Sequence, residues 1–349
     1  MDAPARGGVP ADAEQAVDAA RDAAAEPGAG KARPADAGDA DRAAWDVAAR
    51  SRVRTTDMRL ALASGKGGVG KTCVAVNLAR VLADRGLRPV LADCDVEEPN
   101  AHLFFGPAEL NRARDHFVPV PEIDNEVCLG DACRACVNAC RFKALLAMAG
   151  EIMPFPELCH GCGLCGIVCP VGAVGSSSRH IGHTAELESE GVRLVSGEMR
   201  IGEAMAPPLI REVKARALEA ADEDGLLLYD CPPGGSCPAV TSLDGADFVL
   251  LVAEPTPFGV HDLGLAVDLL HHLELPGAVV CNRADMGDPE RVRRFCRERG
   301  LPLLAELPAT ARAAEVCADG RLLAREIPDF SERFDDLASA VLHSMEGAA

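Results

Sequence analysis

The sequence predicts a doubly wound α/β fold with a parallel sheet, into which a small α+β module is inserted. Three observations predict it. Apolar runs short enough for buried strands recur at 59–63, 88–93, 225–230, 246–253, 277–282 and 301–308, most of them followed by helical stretches. A glycine-rich turn, SGKGGVGKT, joins the first run to a helix at 64–72. From about 119 to 174 the alternation gives way to eight cysteines and short turns. The expected order is βαβ, insert, αβ, then three βα units, with a ligand site at the carboxyl ends of the strands.

Bulk properties narrow the field. At 349 residues the chain accommodates one large α/β domain plus a small module. A formal net charge of -19 argues against nucleic acid or an anionic membrane as direct partner, and 3% aromatic residues leave little to stack on bases. No early segment joins a basic start to an apolar core, and no run approaches the roughly 18 apolar residues of a membrane helix. A soluble, cytoplasmic chain is therefore expected. In that compartment fifteen cysteines read as metal ligands sooner than as disulfides. Residues 1–57, rich in Ala, Asp, Gly and Pro, bury too little to offset ordering entropy and read as a disordered acidic tail.

The folded part begins near Met58. Strand 59–63 feeds the turn, whose glycines let successive backbone N–H groups point inward at a phosphate where side chains would obstruct. Gly67, Gly68, Val69 and Gly70 form the cradle, and the helix over 71–85 adds its positive dipole end. Lys71 reaches the β and γ phosphates, Thr72 offers its hydroxyl to Mg2+, and Cys73 completes the first turn. A glycine-rich linker is the bland alternative; the strand before, the helix after and the GKT ending argue against it.

The next strand, 88–93, ends in the acidic segment DCDVEEPN. Residues 183–203 alternate loosely and suggest a short hairpin or edge strands. Pro207 and Pro208 open a helix with Leu209, Ile210, Val213, Ala217 and Leu218 as its apolar positions. GLLLYDCPPGG gives a buried strand ending at Asp230, an acid placed to hold Mg2+ through water, with Gly234 free to swing toward the γ-phosphate. Helices over 260–273 and, capped by Asp288, through Arg299 follow the next two strands. Helices near 309–319 and 330–344 close the fold; Phe334, Leu337, Ala338 and Val341 share one face of the last and read as core packing.

Within the insert, Cys159, Cys162, Cys165 and Cys169, followed by Pro170, fit C-x2-C-x2-C-x3-C-P, the bacterial ferredoxin run. Three closely spaced thiolates on one tight loop can cap a cubane, while the fourth is carried toward another cluster. Glycines between the ligands allow N–H···S bonds. Cys128, Cys133, Cys136 and Cys140 are spaced C-x4-C-x2-C-x3-C, wider in the first gap, with Arg141 where proline is common. Zinc is the alternative for four-cysteine sets. His160 reads as a surface residue or hydrogen-bond donor. Cys73, Cys94, Cys231, Cys237, Cys281, Cys296 and Cys317 read by default as small packing residues.

Lys66 makes the turn KGGxGKT, which resembles the deviant Walker A of the MinD/Mrp/ParA superfamily and of the nitrogenase iron protein. With DCDVEEPN, the two cysteine sets, YDCPPG, VAEPTPFGVHDL and NRAD, the chain from Met58 onward resembles the MinD-superfamily P-loop ATPases containing an inserted ferredoxin domain. The resemblance implies ATPase segments at 58–121 and 175–349, around a bacterial-type ferredoxin insert at 122–174 with two 4Fe–4S clusters. It implies a homodimer formed on ATP, Lys66 reaching the partner's phosphates. Asp95 becomes the acid that positions or activates the attacking water, and Asp93 a structural acid. Asn282 becomes the adenine-bonding residue, with Arg283 stacking. One cluster would take Cys128, Cys133, Cys136 and Cys169; the other would take Cys159, Cys162, Cys165 and Cys140. The nitrogenase relative makes Cys237 a candidate for a cluster bridging a dimer. Mrp-type carriers use a C-x-x-C toward the C-terminal half, and none occurs here outside the insert.

The expectation is an ATP-binding, slowly hydrolysing protein whose nucleotide state is coupled to electron transfer through two clusters, to or from a partner protein. No residue stands out as a strong general base. Asp95, Lys66, Lys71 and a Mg2+ held with Asp230 are the whole apparatus, so turnover should be low. Two rival classes are an ATP-dependent cluster assembly factor or carrier serving an apo-acceptor, and a redox-sensing, MinD-like regulatory ATPase.

Overall fold

The computed structural model describes residues 58–106, 110–222 and 225–348, so the acidic tail expected at 1–57 lies outside the described residues. The strands are β1 (Met58–Ala63), β2 (Pro89–Asp93), β3 (Asn111–Ile123), β4 (Leu145–Met148), β5 (Glu151–Pro154), β6 (Val174–Ser189), β7 (Val192–Met199), β8 (Leu226–Asp230), β9 (Phe248–Ala253), β10 (Gly277–Asn282) and β11 (Leu303–Leu307). The helices are α1 (Lys71–Asp84), α2 (Ala135–Ala139), α3 (Leu164–Ile167), α4 (Pro207–Ala220), α5 (Cys237–Leu243), α6 (Pro257–His272), α7 (Glu290–Arg299), α8 (Ala311–Ala318), α9 (Leu323–Glu326) and α10 (Pro328–Ala348).

The main sheet runs β11-β10-β9-β1-β8-β2-β7-β6-β3. Every ladder from β11 to β7 is parallel. Such strands are covered on both faces, which is why they read as unbroken apolar runs: β2, β8 and β9 are buried at every residue. Leu60, Leu62, Leu91, Leu228 and Leu250 share a core with Leu78 of α1 and with Phe334 and Leu337 of α10. The apolar face read on the last helix is therefore core, with Phe334, Leu337, Ala338 and Val341 all buried. Helix α4 packs on β2 and β7.

Three elements depart from the sequence reading. At 111–123, where no strand is expected, β3 forms the edge of the sheet. Its first half is charged and exposed, and Pro119 and Pro121 lack N–H donors, so it shows neither alternation nor an apolar run. The loose hairpin at 183–203 is the longer pair β6–β7, antiparallel from Gly182↔Met199 to Ser189↔Val192. Glu190 and Gly191 close it at φ 52° and 79°, both in the left-handed region that two-residue hairpin turns require. Instead of standing at an edge, β7 extends the parallel sheet beside β2. The third element, α5, has only seven residues, too few for a helical period to show.

The described residues divide into two compact units, Phe117–His180 and the remainder, and the expected insert lies inside the first. That small unit has its own hairpin, β4–β5, two short helices and a core of Cys136, Leu145 and Ile152. No described helix is long and apolar enough to cross a membrane.

Candidate functional site

The loop after β1 is shaped by close approach as much as by backbone freedom. Gly68 and Gly70 take φ 78° and 87°. A Cβ on Gly70 would come within 2.4 Å of Asn282 Nδ2, and one on Gly65 within 2.0 Å of the Asp262 carbonyl oxygen. Gly67 faces Pro233 of the turn after β8, and Val69 is buried. Gly234, at φ 84°, donates its N–H to the Ser64 carbonyl at 2.9 Å, which ties that turn to the phosphate loop.

At the first residue of α1, Lys71 is buried and paired with Asp230 Oδ1 at the end of β8. Burial works against its charge, but the Asp230 carboxylate outweighs it and the lysine pKa is raised. The other oxygen, Asp230 Oδ2, is buried and accepts no hydrogen bond from any described residue. An unsatisfied buried carboxylate oxygen beside a phosphate loop fits a divalent cation and its waters. Thr72 is half-buried in the same first turn. Asp93 closes β2 and accepts backbone N–H bonds from Asp95, Asn100 and Ala101 at 3.2, 3.0 and 3.0 Å. Burial and then its neighbour Asp230 push its pKa up to about 7. Asp95 is half-buried, and burial raises its pKa too.

Lys66 is engaged within its own chain. Its Nζ lies 3.1 Å from Glu254 Oε2. Glu254 Oε1 receives Arg283 Nη1 at 2.7 Å, and the same nitrogen donates to the Gly68 carbonyl at 3.0 Å. Asn282 Nδ2 donates to the Val69 carbonyl at 2.8 Å, while its Oδ1 accepts the Arg283 N–H at 3.0 Å. The two residues expected at adenine thus hydrogen-bond to carbonyls of the phosphate loop. Glu254 is the residue the sequence reading misses. It stands in VAEPTPFG, but only the fold brings it to Lys66 and Arg283. Cys73 is half-buried, with its sulfur 3.4 Å from Cys317 Sγ.

Within Phe117–His180 the eight insert cysteines line two cavities. One is bounded by Cys128, Cys133, Cys136 and Cys169, the other by Cys140, Cys159, Cys162 and Cys165. Each cavity draws three thiols from one run and the fourth from the other. The two halves nearly repeat. Gly130 and Gly161 donate N–H to Cys128 Sγ and Cys159 Sγ, both at 3.4 Å. Ala144 and Ala173 donate to Cys140 Sγ and Cys169 Sγ at 3.4 and 3.2 Å. Left-handed residues, Arg134 and Gly163, precede α2 and α3 at φ 53° and 70°.

The wider first gap is absorbed locally. Its extra residues form a 3-10 turn, Gly130–Ala132, seated on the β4–β5 turn. Asp131 Oδ2 accepts the Gly150 N–H at 2.9 Å, and a Cβ on Gly130 would meet the Gly150 carbonyl oxygen at 1.8 Å. Cys128 is thereby returned to its cavity. His160 is exposed and stacked on Phe142, ring centroids 3.6 Å apart. Cys237 is exposed at the start of α5, whereas Cys94, Cys231, Cys281 and Cys296 are buried.

Residues 60–323 match a family model described as the CobQ/CobB/MinD/ParA nucleotide binding domain. The uncharacterized protein MJ0579 of Methanocaldococcus jannaschii is 32% identical over 231 residues, which are 66% of this chain and 82% of that one. An iron-sulfur cluster carrier protein of Pyrococcus furiosus is 21% identical over 276 residues, covering 74% of this chain and 76% of the carrier. The septum site-determining protein MinD of Pyrococcus horikoshii, solved with Mg-ADP, has a TM-score of 0.54 at 19% identity, covering 84% of this chain and 99% of that one. At that identity the likeness is one of fold.

Proposed function

Because the chain belongs to the CobQ/CobB/MinD/ParA nucleotide-binding family, we propose that it is a slow, Mg2+-dependent ATPase that couples its nucleotide state to electron transfer through two 4Fe–4S clusters. One observation carries the reading: two four-thiol cavities occur in a chain that also holds a lysine and buried acids at a phosphate loop.

At the nucleotide, the N–H groups of 67–70 and the Lys71 ammonium receive the β and γ phosphates. Asp230 Oδ2 and the Thr72 hydroxyl would hold Mg2+, which spreads the phosphates' negative charge. Asp95 orients the attacking water. Lys66 leaves Glu254 and crosses to the phosphates of a second copy, so hydrolysis requires the dimer. With no strong base in the set, turnover is low.

The eight thiolates would hold the clusters, four to a cavity, and the clusters supply one-electron transfer to or from a partner protein. Four thiols spread around a cavity suit a cluster better than one zinc ion, whose sulfur ligands converge within about 2.3 Å of a single point. The N–H groups of Gly130, Ala144, Gly161 and Ala173 steady the sulfurs and help set the potentials.

An anaerobic redox titration followed by EPR, with and without MgATP, tests the coupling, with Lys71→Ala as control. The expected result is a shift in cluster potential in the wild type only. No shift, with clusters stable throughout, removes redox coupling. The P. furiosus relative favours a second reading, ATP-dependent delivery of a cluster to an apo-acceptor. That reading requires iron to leave the protein when apo-acceptor and MgATP are added.

A further inference from the structure

Two thiols from distant parts of the chain meet beside the phosphate loop. Cys73, next to Thr72 in the first turn of α1, has its sulfur 3.4 Å from that of Cys317 in α8. Both residues are half-buried, so the pair is held in place yet within reach of a small reagent. Their approach is enforced by a neighbour. Asn77, fully buried one turn beyond Cys73, donates from Nδ2 to the Cys73 carbonyl at 2.7 Å and accepts the Ala324 N–H at 2.9 Å. This pins α1 to α9, the element that follows α8. Arg283 acts electrostatically on both thiols and also holds the Gly68 carbonyl of the phosphate loop.

We propose that Cys73 and Cys317 are an oxidation site that closes to an intramolecular disulfide and thereby weakens nucleotide binding. The weakening rests on the nucleotide reading above; the disulfide does not. A disulfide bond is about 2.05 Å long, so the sulfurs must approach by roughly 1.3 Å. Cys73 belongs to the turn presenting Lys71 and Thr72, where binding geometry tolerates only about 0.5 Å, so even the share of that movement taken up by α1 is enough to disturb the site.

The oxidant is a small-molecule disulfide such as glutathione disulfide. The Cys317 thiolate attacks one of its sulfurs; the glutathione S–S bond breaks, one glutathione thiolate leaves, and a mixed disulfide forms at Cys317. The Cys73 thiol, losing its proton to solvent, attacks the Cys317 sulfur and expels the second glutathione. Two protein thiols give up two electrons, and one disulfide is reduced to two thiols.

The test uses the full chain with its clusters loaded, equilibrated anaerobically with glutathione disulfide or with dithiothreitol. Remaining thiols are blocked, and the digest is read by mass spectrometry. Affinity for a fluorescent ATP analogue is measured on the same samples. The expected result is a Cys73–Cys317 linked peptide that appears with oxidant and disappears with dithiothreitol, with affinity falling at least fivefold in the oxidised wild type. Cys317→Ser, with Cys317→Ala as a second variant, should bind nucleotide equally under both conditions. Absence of the linked peptide at equilibrium overturns the site, and linkage with unchanged affinity overturns its effect. Reduced protein that binds no nucleotide would overturn the functional reading and with it the weakening, while the linked peptide still decides the disulfide.

Discussion

Lys71 and Lys66 stand in one loop but in different electrostatic settings. Lys71 is the only counter-charge paired at hydrogen-bond distance with the buried Asp230 among the described residues, and Asp93 lies close by. Lys71→Ala should abolish nucleotide binding and also leave the buried Asp230 carboxylate uncompensated. A loss on the order of 3–5 kcal/mol of stability is expected, readable by calorimetry and denaturant unfolding. Lys66 is a third exposed and, among the described residues, bound only to Glu254 at 3.1 Å. Lys66→Ala should therefore keep nucleotide binding and lose dimerisation and hydrolysis; equal ATPase rates in variant and wild type would refute a role across the dimer. Asp93 adds a pH dependence. Its carboxyl, at about 7 in the fold against 3.8 ordinarily, keeps a proton that the unfolded chain has already released. Stability of the nucleotide-free protein should thus fall as pH rises from about 4 to about 7, by a few kcal/mol at most. Melting temperatures across that window check it, and Asp93→Asn should flatten the slope.

At the scale of elements, the two short helices and the β4–β5 hairpin decide which cysteines share a cavity. Each run contributes three thiols to one cavity and sends its last to the other. Cys128→Ala and Cys169→Ala, far apart in sequence, should therefore lose the same cluster: roughly half the iron per chain and one and the same EPR signal. Cys140→Ala should remove the other signal. If Cys128→Ala and Cys140→Ala, from one run, lost the same signal, the crossed arrangement would be wrong. The cysteine runs are legible because ligand spacing on a tight loop is a local property. Their crossing depends on how two helices pack. Edge strand β3 escapes notice for a different reason: with one side exposed and two prolines in it, packing imposes no pattern on it.

For the whole molecule, the proposed function turns on association of two copies around nucleotide. MgATP bound to Asp95→Asn, a variant designed to bind without turning over, should raise the mass seen by light scattering from 36.5 kDa to twice that. Lys66→Ala should stay at the lower mass. A wild-type dimer that forms equally without nucleotide would sever association from the nucleotide cycle.

The sequence by itself determined the parallel α/β fold, the strand–turn–helix built around the glycine-rich turn at 64–72, and the two cysteine runs. Each is written in short-range spacing, where backbone geometry alone dictates what the residues can do. Only the tertiary structure decided that β7 lies inside the sheet, that Glu254 joins Lys66 to Arg283, and that Cys73 meets Cys317. These depend on parallel strands, which pair only through long crossovers. Such crossovers bring together the ends of elements far apart in the chain, and no local periodicity records which ends will meet.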